Sequence, residues 1–360
     1  TGLALHAMGR YEEALSRFRQ ALELYRDLSD AEHCRADCLG QVGVTLRTLG
    51  RFDDARTAYQ QALEAYQQAL DLCRDLPGCE AEQADCLYGV GDALDRVGRY
   101  EEALEAYRQA LELYRALPGT TVAQANCLHY GIGLALQTTG RYRQALEVYD
   151  QALELYRQVG DTQRDQANCR YNAANALRRS QRYEEARLAY QDALSLYRQV
   201  EGTEEDQADC LNGVGLAMTG AGRSEAALAP YSLALDIYRQ LPGTELDQAN
   251  CLHSTANALD DVGRYAEAVE AYRQSLELYR QVGRTSREQA NCLYNIGGTL
   301  RRAGRPEEAL SAYHQALEAY RSVPGTARSQ AGCLLDIGNT LDNLGRYAEA
   351  VDTYGQALEA

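Results

Sequence analysis

The chain has 360 residues, a formal net charge of −16 and no Trp. A surface with this charge repels polyanions, so we exclude nucleic acid as a general partner. No apolar run approaches the roughly 20 residues that a membrane-spanning helix needs, so we also predict no membrane partner.

Eight of the eleven cysteines recur about once per repeat, and we predict that they are reduced. Equivalent residues in stacked repeats lie about 10 Å apart, whereas a disulfide needs Cα atoms within about 7 Å of each other. Reduced thiols of this kind are small core residues and indicate a cytoplasmic location. The recurring cysteines are Cys38, Cys86, Cys127, Cys169, Cys210, Cys251, Cys292 and Cys333.

A Gly-Arg dipeptide followed by Tyr or Phe punctuates much of the chain. Arginines at this position recur every 41 residues, apart from one interval of 48 and one of 42. This regularity predicts one supersecondary unit copied about eight times. We therefore expect residues 1–360 to form one continuous array with partial units at both ends, cut from a longer protein.

The interval of 48 residues contains a duplicated heptad within residues 58–71. Seven residues make nearly two helical turns, so the duplication preserves the apolar face. We predict that the first helix of this unit is about 10 Å longer than its counterparts and projects as a spur. A neutral duplication and a docking edge both remain open as interpretations.

The interval of 42 residues has one extra residue between Cys127 and Gly133. A helix commonly absorbs a single insertion as a π-bulge, often near a functional site. We therefore predict a bulge around residues 128–130.

Residues 264–304 represent one regular unit and read as two helices. Apolar residues spaced by three, four and seven predict a first helix over residues 265–282, which Gly283 ends. A second helix is predicted to run to about Ala303, with Gly304 as its left-handed terminator. Thr285 and Glu288 between them match a capping box. The same pairing recurs at Thr162 and Asp165, Thr203 and Asp206, and Thr244 and Asp247.

A small residue recurs in the middle of the second helix, where Gly costs about 1 kcal/mol of helix propensity relative to Ala. This recurrence predicts that a neighbouring helix needs the space, with a first-helix Tyr as the knob that fills it. The small residues are Gly43, Gly91, Gly133, Ala174, Gly215, Ala256, Gly297 and Gly338; the tyrosines are Tyr107, Tyr149, Tyr190, Tyr272 and Tyr313.

The segment Ala290-Asn-Cys-Leu-Tyr-Asn-Ile-Gly297, followed by Leu300, Gly304, Glu308-Ala309, Tyr313 and Ala316, has the spacing of a tetratricopeptide repeat. The chain resembles this family over essentially its whole length. Its period is 41 rather than 34, Leu replaces the usual Trp, and the closing Pro is missing. Longer helices of this kind resemble the repeats of kinesin light chains and bacterial signalling regulators. The resemblance implies an all-α fold, a right-handed α-solenoid of antiparallel helix pairs that binds peptides or partner proteins in its concave groove.

In this family the second helices line the groove, so the positions that vary there between repeats are our candidate partner-binding residues. Asn can clamp a peptide backbone, Arg can grip a carboxylate, and Tyr offers a rigid amphipathic surface. Acidic and basic positions alternate, which favours a ligand of mixed charge; a solvated helix face is the alternative interpretation. The candidates are Tyr88, Asp92, Asp95, Arg96, Tyr171, Asn175, Arg178, Arg179, His253, Asn257, Asp260, Tyr294, Arg301, Arg302, Asn339 and Asp342.

No catalytic triad, phosphate loop or cofactor motif is apparent, so we predict neither an enzyme nor a bound cofactor. His33, Cys34 and Cys38 form the only metal-like cluster. A structural zinc site usually needs four ligands, so we predict packing at a helix start and no metal. Cys73 stands where other repeats have Tyr and is predicted to be a core substitution, whereas Cys79 is expected to be exposed.

We interpret the chain as a non-catalytic protein-interaction scaffold, the sensor or adaptor segment of a larger signalling protein. A receptor for a small peptide signal is a second hypothesis, and a regulatory arm of a linked protease or ATPase is a third. A fourth is end-to-end self-association, because cut repeats expose apolar faces.

Overall fold

The computed structural model describes residues 1–25, 28, 31–74, 76, 78–283 and 285–359. These residues form 18 helices and no strand, counting the helix over residues 121–138 once. The helices group into two compact units, Thr1–Ser180 and Gln181–Ala360. Within each unit, consecutive helices pack against each other in chain order, which confirms the α-solenoid of tandem antiparallel helix pairs. That both units continue one array stays a prediction.

The first unit contains nine helices among its described residues, α1 to α9. They are α1 (Gly2–Ala7), α2 (Tyr11–Tyr25), α3 (Glu32–Thr48), α4 (Phe52–Cys73), α5 (Glu80–Arg96), α6 (Tyr100–Ala116), α7 (Thr121–Asn126, the π-helical Cys127–Gly133 and Leu134–Thr138), α8 (Tyr142–Arg157) and α9 (Gln163–Arg179). From α2 onward, even-numbered helices are the first helices of the repeats and odd-numbered helices are the second.

The second unit continues the alternation with another nine helices among its described residues. They are α10 (Tyr183–Tyr197), α11 (Glu204–Gly220), α12 (Ser224–Tyr238), α13 (Glu245–Asp261), α14 (Tyr265–Val282), α15 (Ser286–Arg302), α16 (Pro306–Arg321), α17 (Ala327–Asn343) and α18 (Tyr347–Glu359). The predicted helix over residues 265–282 is confirmed with both of its ends. No described helix has the length and apolar character that a membrane crossing requires.

A left-handed residue ends the second helices, as predicted for Gly304. Gly304 has φ +73°, and the next residue, Arg305, donates its N–H to the carbonyl of Leu300 at 2.9 Å. This bond satisfies a carbonyl that the helix leaves without a partner. Gln181 adopts the same conformation, with φ +63°, although a side chain disfavours it.

Tyrosine knobs fill the space above the mid-helix glycines, which confirms the predicted packing. A Cβ added to Gly91 would lie 2.6 Å from Tyr107, and one added to Gly297 would lie 2.6 Å from Tyr313. Contacts this short leave no room for a methyl group, so only Gly fits without a shift of the neighbouring ring. The equivalent Ala174 and Ala256 are fully buried.

A second tyrosine, seven residues after the knob, joins several of the first helices to the second helix before it. Tyr114 donates its hydroxyl proton to Asp85 at 2.6 Å, Tyr238 to Asp209 at 2.5 Å and Tyr279 to Asn250 at 2.6 Å. Each donor and acceptor are 29 residues apart. These bonds satisfy a hydroxyl on an otherwise buried ring.

The recurring cysteines are free, as predicted, and seven of the eight are buried, with Cys38 half-buried. Cys127 donates its S–H to the carbonyl of Tyr107 at 3.2 Å, and Cys333 does the same to Tyr313 at 3.2 Å. The thiol therefore bonds the backbone of the knob tyrosine. These cysteines are core residues that also hold the two helices of neighbouring repeats together.

The predicted capping box is wrong. Thr285 occupies the N-cap position, but its side chain makes no capping bond. Its hydroxyl instead donates to the carbonyl of Tyr279, in the last turn of the preceding helix, with 2.5 Å between the two oxygens. Gln289 Nε2 donates to the same hydroxyl oxygen at 3.2 Å. Thr162, Thr203 and Thr244 donate in the same way to Tyr156, Tyr197 and Tyr238.

The heptad duplication lengthens α4 as predicted, to 22 residues, whereas the 18-residue α14 is the longest of the other first helices. The prediction of a projecting spur is wrong, because Ala62, Ala65 and Tyr66 in the added turns are buried. Two tyrosines share the knob function here. Tyr59 covers Gly43 of α3, and Tyr66 covers Gly89 of α5.

The duplication also shifts α5 along α3. In two regular successive second helices, the recurring cysteine of the later helix faces the residue two positions after the recurring cysteine of the earlier one. Cys292 of α15 thus faces His253, two positions after Cys251 of α13, with 3.3 Å between Sγ and Nδ1. Cys86 Sγ of α5 instead lies 3.4 Å from Nδ1 of His33. His33 is five positions before Cys38, the recurring cysteine of α3. The displacement is seven residues, which corresponds to about 10 Å along the helix.

The extra residue in α7 forms a π-helix over Cys127–Gly133, which confirms the predicted bulge. His129 within it is fully buried. Asn172 Nδ2 lies 2.9 Å from its Nε2, and the hydroxyl of Tyr156 lies 3.4 Å from its Nδ1. Burial lowers the pKa of His129 to about 3, so the ring is neutral near pH 7.

Candidate functional site: the second-helix face

The second-helix face is defined here as the sixteen predicted partner-binding residues of α5 and α9 in the first unit and of α13, α15 and α17 in the second. It is densest in the second unit. Arg302 of α15 forms a bidentate pair with Asp260 of α13, with 3.1 Å between Nε and Oδ1. Tyr294 of α15 donates its hydroxyl proton to Asp336 of α17 at 2.5 Å, and Arg301 lies 3.8 Å from the same carboxylate. Three successive second helices are thus joined by polar contacts.

His253 extends this network along α13. Asn295 Nδ2 lies 3.1 Å from its Nε2, and Cys292 Sγ lies 3.3 Å from its Nδ1. An amide N–H donates to Nε2, which places the ring proton on Nδ1. Burial lowers the pKa of His253, which favours the neutral form of this half-buried ring.

The two asparagines of the face in this unit bond the knob tyrosines. Asn257 Oδ1 accepts from the hydroxyl of Tyr272 at 2.5 Å, and Asn339 Oδ1 accepts from Tyr354 at 2.9 Å. Their carbonyl oxygens are therefore engaged within the protein. The amide N–H groups are the part of each side chain that a ligand could use. Asp342, one turn further along α17, is exposed.

The first unit contributes a compact charged group from α5. Asp92 pairs with Arg96 at 2.8 Å, and the Arg96 guanidinium lies 5.4 Å from the centre of the Tyr59 ring. Asp95 Oδ1 is buried without a hydrogen-bond partner, and burial, followed by the nearby Asp92, raises its pKa. Tyr88 packs its ring 5.4 Å from that of Tyr107, and burial raises its pKa.

The four predicted residues of α9 differ in exposure. Tyr171, Asn175 and Arg178 are half-buried, whereas Arg179 is exposed. They lie along the last three turns of α9, in the register of the α5 residues.

The predicted site residues omit Asn295 and Asp336, which the structure brings to the network of the second unit. They also omit Asn172 of the first unit, which contacts His129. Each of the three lies two positions before the small residue of its repeat. That position is Gly in three other repeats, at Gly89, Gly131 and Gly213. A comparison between repeats at this position could have found them, because a change from Gly to a polar side chain is large.

The described residues hold no group of three or more His, Cys, Asp or Glu side chains with the geometry of a metal site. His33, which the sequence places beside Cys34 and Cys38, contacts other partners. Its ring packs edge-on against Tyr66, with 5.8 Å between centres, and its Nδ1 faces Cys86.

Comparisons with known families and structures agree with the fold. A family profile described as tetratricopeptide repeat matches residues 2–68, 59–116, 124–199, 172–240, 206–281 and 288–360, and a second profile, described as tetratrico peptide repeat, matches residues 249–322. No curated protein matches the sequence.

Solved structures with the same fold cover nearly the whole chain. The apo quorum sensor NprR from B. thuringiensis matches with a TM-score of 0.63 and 14% identity, over 99% of this chain and 96% of its own. Aspartyl phosphate phosphatase F from Bacillus subtilis matches with a TM-score of 0.59 and 13% identity, over 97% of this chain and 88% of its own. A Rap protein complexed with Competence and Sporulation Factor matches with a TM-score of 0.56 and 16% identity, over 99% of this chain and 95% of its own. At these identities the likeness is one of fold.

Proposed function

The chain belongs to the tetratricopeptide repeat family, and from this premise we propose that it is a non-catalytic scaffold that holds a peptide or partner protein along the second-helix face. One observation supports this proposal above the others. Residues of α13, α15 and α17 that differ between repeats are joined by polar contacts between the helices. A ligand lying across these helices would meet side chains already held in place, which lowers the entropy cost of binding.

The contacts refine the ligand chemistry. Arg302 and Asp260 neutralise each other, so this pair offers the ligand little net charge. Asp92 and Asp95 place two carboxylates of α5 beside the single guanidinium of Arg96, so we propose that the first unit recognises an N–H or cationic group. Asn257 and Asn339 offer amide donors, which suit the carbonyls of an extended peptide.

We propose further that the chain acts as the sensor or adaptor segment of a larger cytoplasmic signalling protein. The alternative is a receptor for a small peptide signal. Two structures with the same fold favour it, a quorum sensor and a Rap protein complexed with Competence and Sporulation Factor. Small-angle scattering with and without a selected short peptide separates the two, because a signal receptor contracts on its ligand and a static scaffold does not.

Peptide display against the purified chain, followed by affinity measurements on variants, tests the proposed face. Arg302→Ala should weaken the selected peptides by about 1–2 kcal/mol, roughly five- to thirtyfold, since it removes a charged donor and leaves Asp260 without its partner. Arg280→Ala is the matched control. Arg280 lies at the end of the first helix α14, with Nη1 3.8 Å from Glu277, and its loss should leave affinity unchanged. Peptides that bind both variants equally well would remove the second-helix face from the proposal.

A further inference from the structure

A cavity lies where α5 is shifted along α3. The cavity measures about 320 Å³ and lies between the start of α3, the end of α4 and the first half of α5. Its floor is apolar, with Ala69, Leu72, Cys73 and Leu76 among the residues that line it. None of the second-helix-face residues lines the cavity, so it is independent of the proposed function.

Cys73 occupies the position of the second tyrosine of a repeat. Gln83 Nε2 donates to the carbonyl of Cys73 at 2.6 Å, as Gln124 does to Tyr114 at 3.2 Å. The tyrosines at this position in the later repeats are buried between two second helices: Tyr114, Tyr156, Tyr197, Tyr238, Tyr279 and Tyr320. A cysteine side chain is far smaller than a phenol ring, so the place that a ring fills elsewhere is open here.

Exposed leucines and carboxylates surround this opening. Leu72 is 54% exposed and Leu76 is 53% exposed. Glu32, Glu82 and Asp85 also line the cavity, and neither glutamate forms an ion pair with a residue that the structure describes. An apolar hole with an acidic rim attracts a group that is apolar at its tip and cationic beside it.

We propose that this cavity binds one aromatic side chain of a partner peptide, with an Arg or Lys next to it in the peptide sequence. The ring takes the place that the second tyrosine holds in other repeats and covers Leu72 and Ala69. The basic side chain lies over Glu32 and Glu82. A ring buried in this way removes a large apolar surface from water, which provides most of the binding free energy.

The test uses three dipeptides and the whole chain with methyl-labelled leucines, in NMR titrations. The probe is N-acetyl-Phe-Arg-amide, with N-acetyl-Phe-Glu-amide and N-acetyl-Ala-Arg-amide for comparison. The probe should shift the methyl signals of Leu72 and Leu76 saturably at millimolar concentration. The Ala peptide should bind about tenfold more weakly, and the Glu peptide about two- to fivefold more weakly, as expected for an exposed charge pair.

Cys73→Tyr closes the cavity with the residue that the other repeats use. It should abolish binding of the probe while thermal unfolding stays at or above the wild-type temperature. Cys73→Ser keeps the cavity open and should bind as the wild type does, which separates the cavity from thiol chemistry. Leu72→Ser changes an exposed side chain, so it should fold normally and weaken the probe about tenfold. A wild-type chain without saturable shifts, or a Cys73→Tyr variant that still binds, overturns the proposal; equal binding of the Arg and Glu peptides overturns its charged half.

Discussion

At the scale of single residues, the close approach of helices depends on glycines that face a tyrosine ring. Two adjacent glycines of α15 show the contrast. A Cβ on Gly297 would lie 2.6 Å from Tyr313, whereas one on Gly298 would meet no atom closer than 3.6 Å. Both residues pay the conformational cost of Gly in a helix, and only Gly297 gains close packing in return.

We therefore expect opposite effects of the same substitution at these two positions. Gly297→Ala should lower the free energy of unfolding by about 1–2 kcal/mol, because the overpacking cost exceeds the gain in helix propensity. Gly298→Ala should raise it by about 0.5–1 kcal/mol. Denaturant unfolding of the two variants measures both changes. If both alanine variants were more stable than the wild type, the contact between residue 297 and Tyr313 would not be what requires glycine there.

The threonine at the start of a second helix has a different function from the one its position indicates. Its hydroxyl donates to the Tyr279 carbonyl at the end of the previous helix and accepts from Gln289 Nε2. Thr285→Val should lower the free energy of unfolding by about 1 kcal/mol, the net contribution of a typical hydrogen bond, because Gly283 and Gln289 still donate to the Tyr279 carbonyl. Glu288→Ala should change stability by less than about 0.5 kcal/mol, because Glu288 makes no capping bond. A loss for Glu288→Ala as large as that for Thr285→Val in denaturant unfolding would restore the capping box.

At the scale of helices, the bond from the second tyrosine joins consecutive pairs, and its acceptor decides how the joint responds to pH. Burial raises the pKa of Asp209 to about 6, with smaller contributions from neighbouring carboxylates, although Tyr238 donates to it. The next two repeats use Asn250 and Asn291 as acceptors, and these do not titrate.

Because the pKa of Asp209 is higher in the folded state than the ordinary value of about 4, the folded state binds more protons between about pH 4 and pH 6. Stability should therefore fall as the pH rises through this window and remain lower above it. Asp209→Asn should raise the free energy of unfolding by about 1–2 kcal/mol at about pH 8 and leave it unchanged at about pH 4.

Urea unfolding at the two pH values measures this difference. Asn250→Asp is the reciprocal control and should introduce the same pH dependence in the next repeat. A gain from Asp209→Asn that is equal at both pH values would show that proton uptake at Asp209 is not its cause.

The two irregular helices show how the repeat accepts insertions of different length. A heptad preserves the helical face, so α4 remains regular and the change appears as a shift of α5 along α3. A single residue would rotate every later side chain by about 100°, so α7 absorbs it within one π-helical segment. Gly133 then returns to its place against Tyr149, and the repeat continues in register.

At the scale of the whole molecule, each helix contacts mainly its neighbours in the chain, and each unit has buried clusters of its own. Stability in such an architecture is close to a sum of local terms. Substitutions in separate units should therefore act independently, whereas substitutions that share one side chain should not.

Gly91→Ala and Gly297→Ala lie in different units, and their effects on the free energy of unfolding should add within about 0.5 kcal/mol. Gly91 and Gly131 both face Tyr107, at 2.6 Å and 2.8 Å from an added Cβ. Their double variant should cost less than the sum, because one shift of Tyr107 relieves both contacts. Denaturant unfolding of the single and double variants measures both effects. Additive effects for Gly91 and Gly131, together with non-additive effects for Gly91 and Gly297, would contradict nearest-neighbour stability.

Local spacing predicted the helix pairs, the left-handed end at Gly304, the knobs of Tyr107 on Gly91 and Tyr313 on Gly297, and the π-helix at 127–133. Each of these depends on residues a few positions apart or on a contact that every repeat copies. Only the packing of the folded chain established the direction of the Thr285 hydroxyl, the pairing of Arg302 with Asp260, the burial of the added heptad and the cavity beside Cys73. These depend on where a side chain meets a helix one repeat away, and a register shift or a competing acceptor there is not encoded in local spacing.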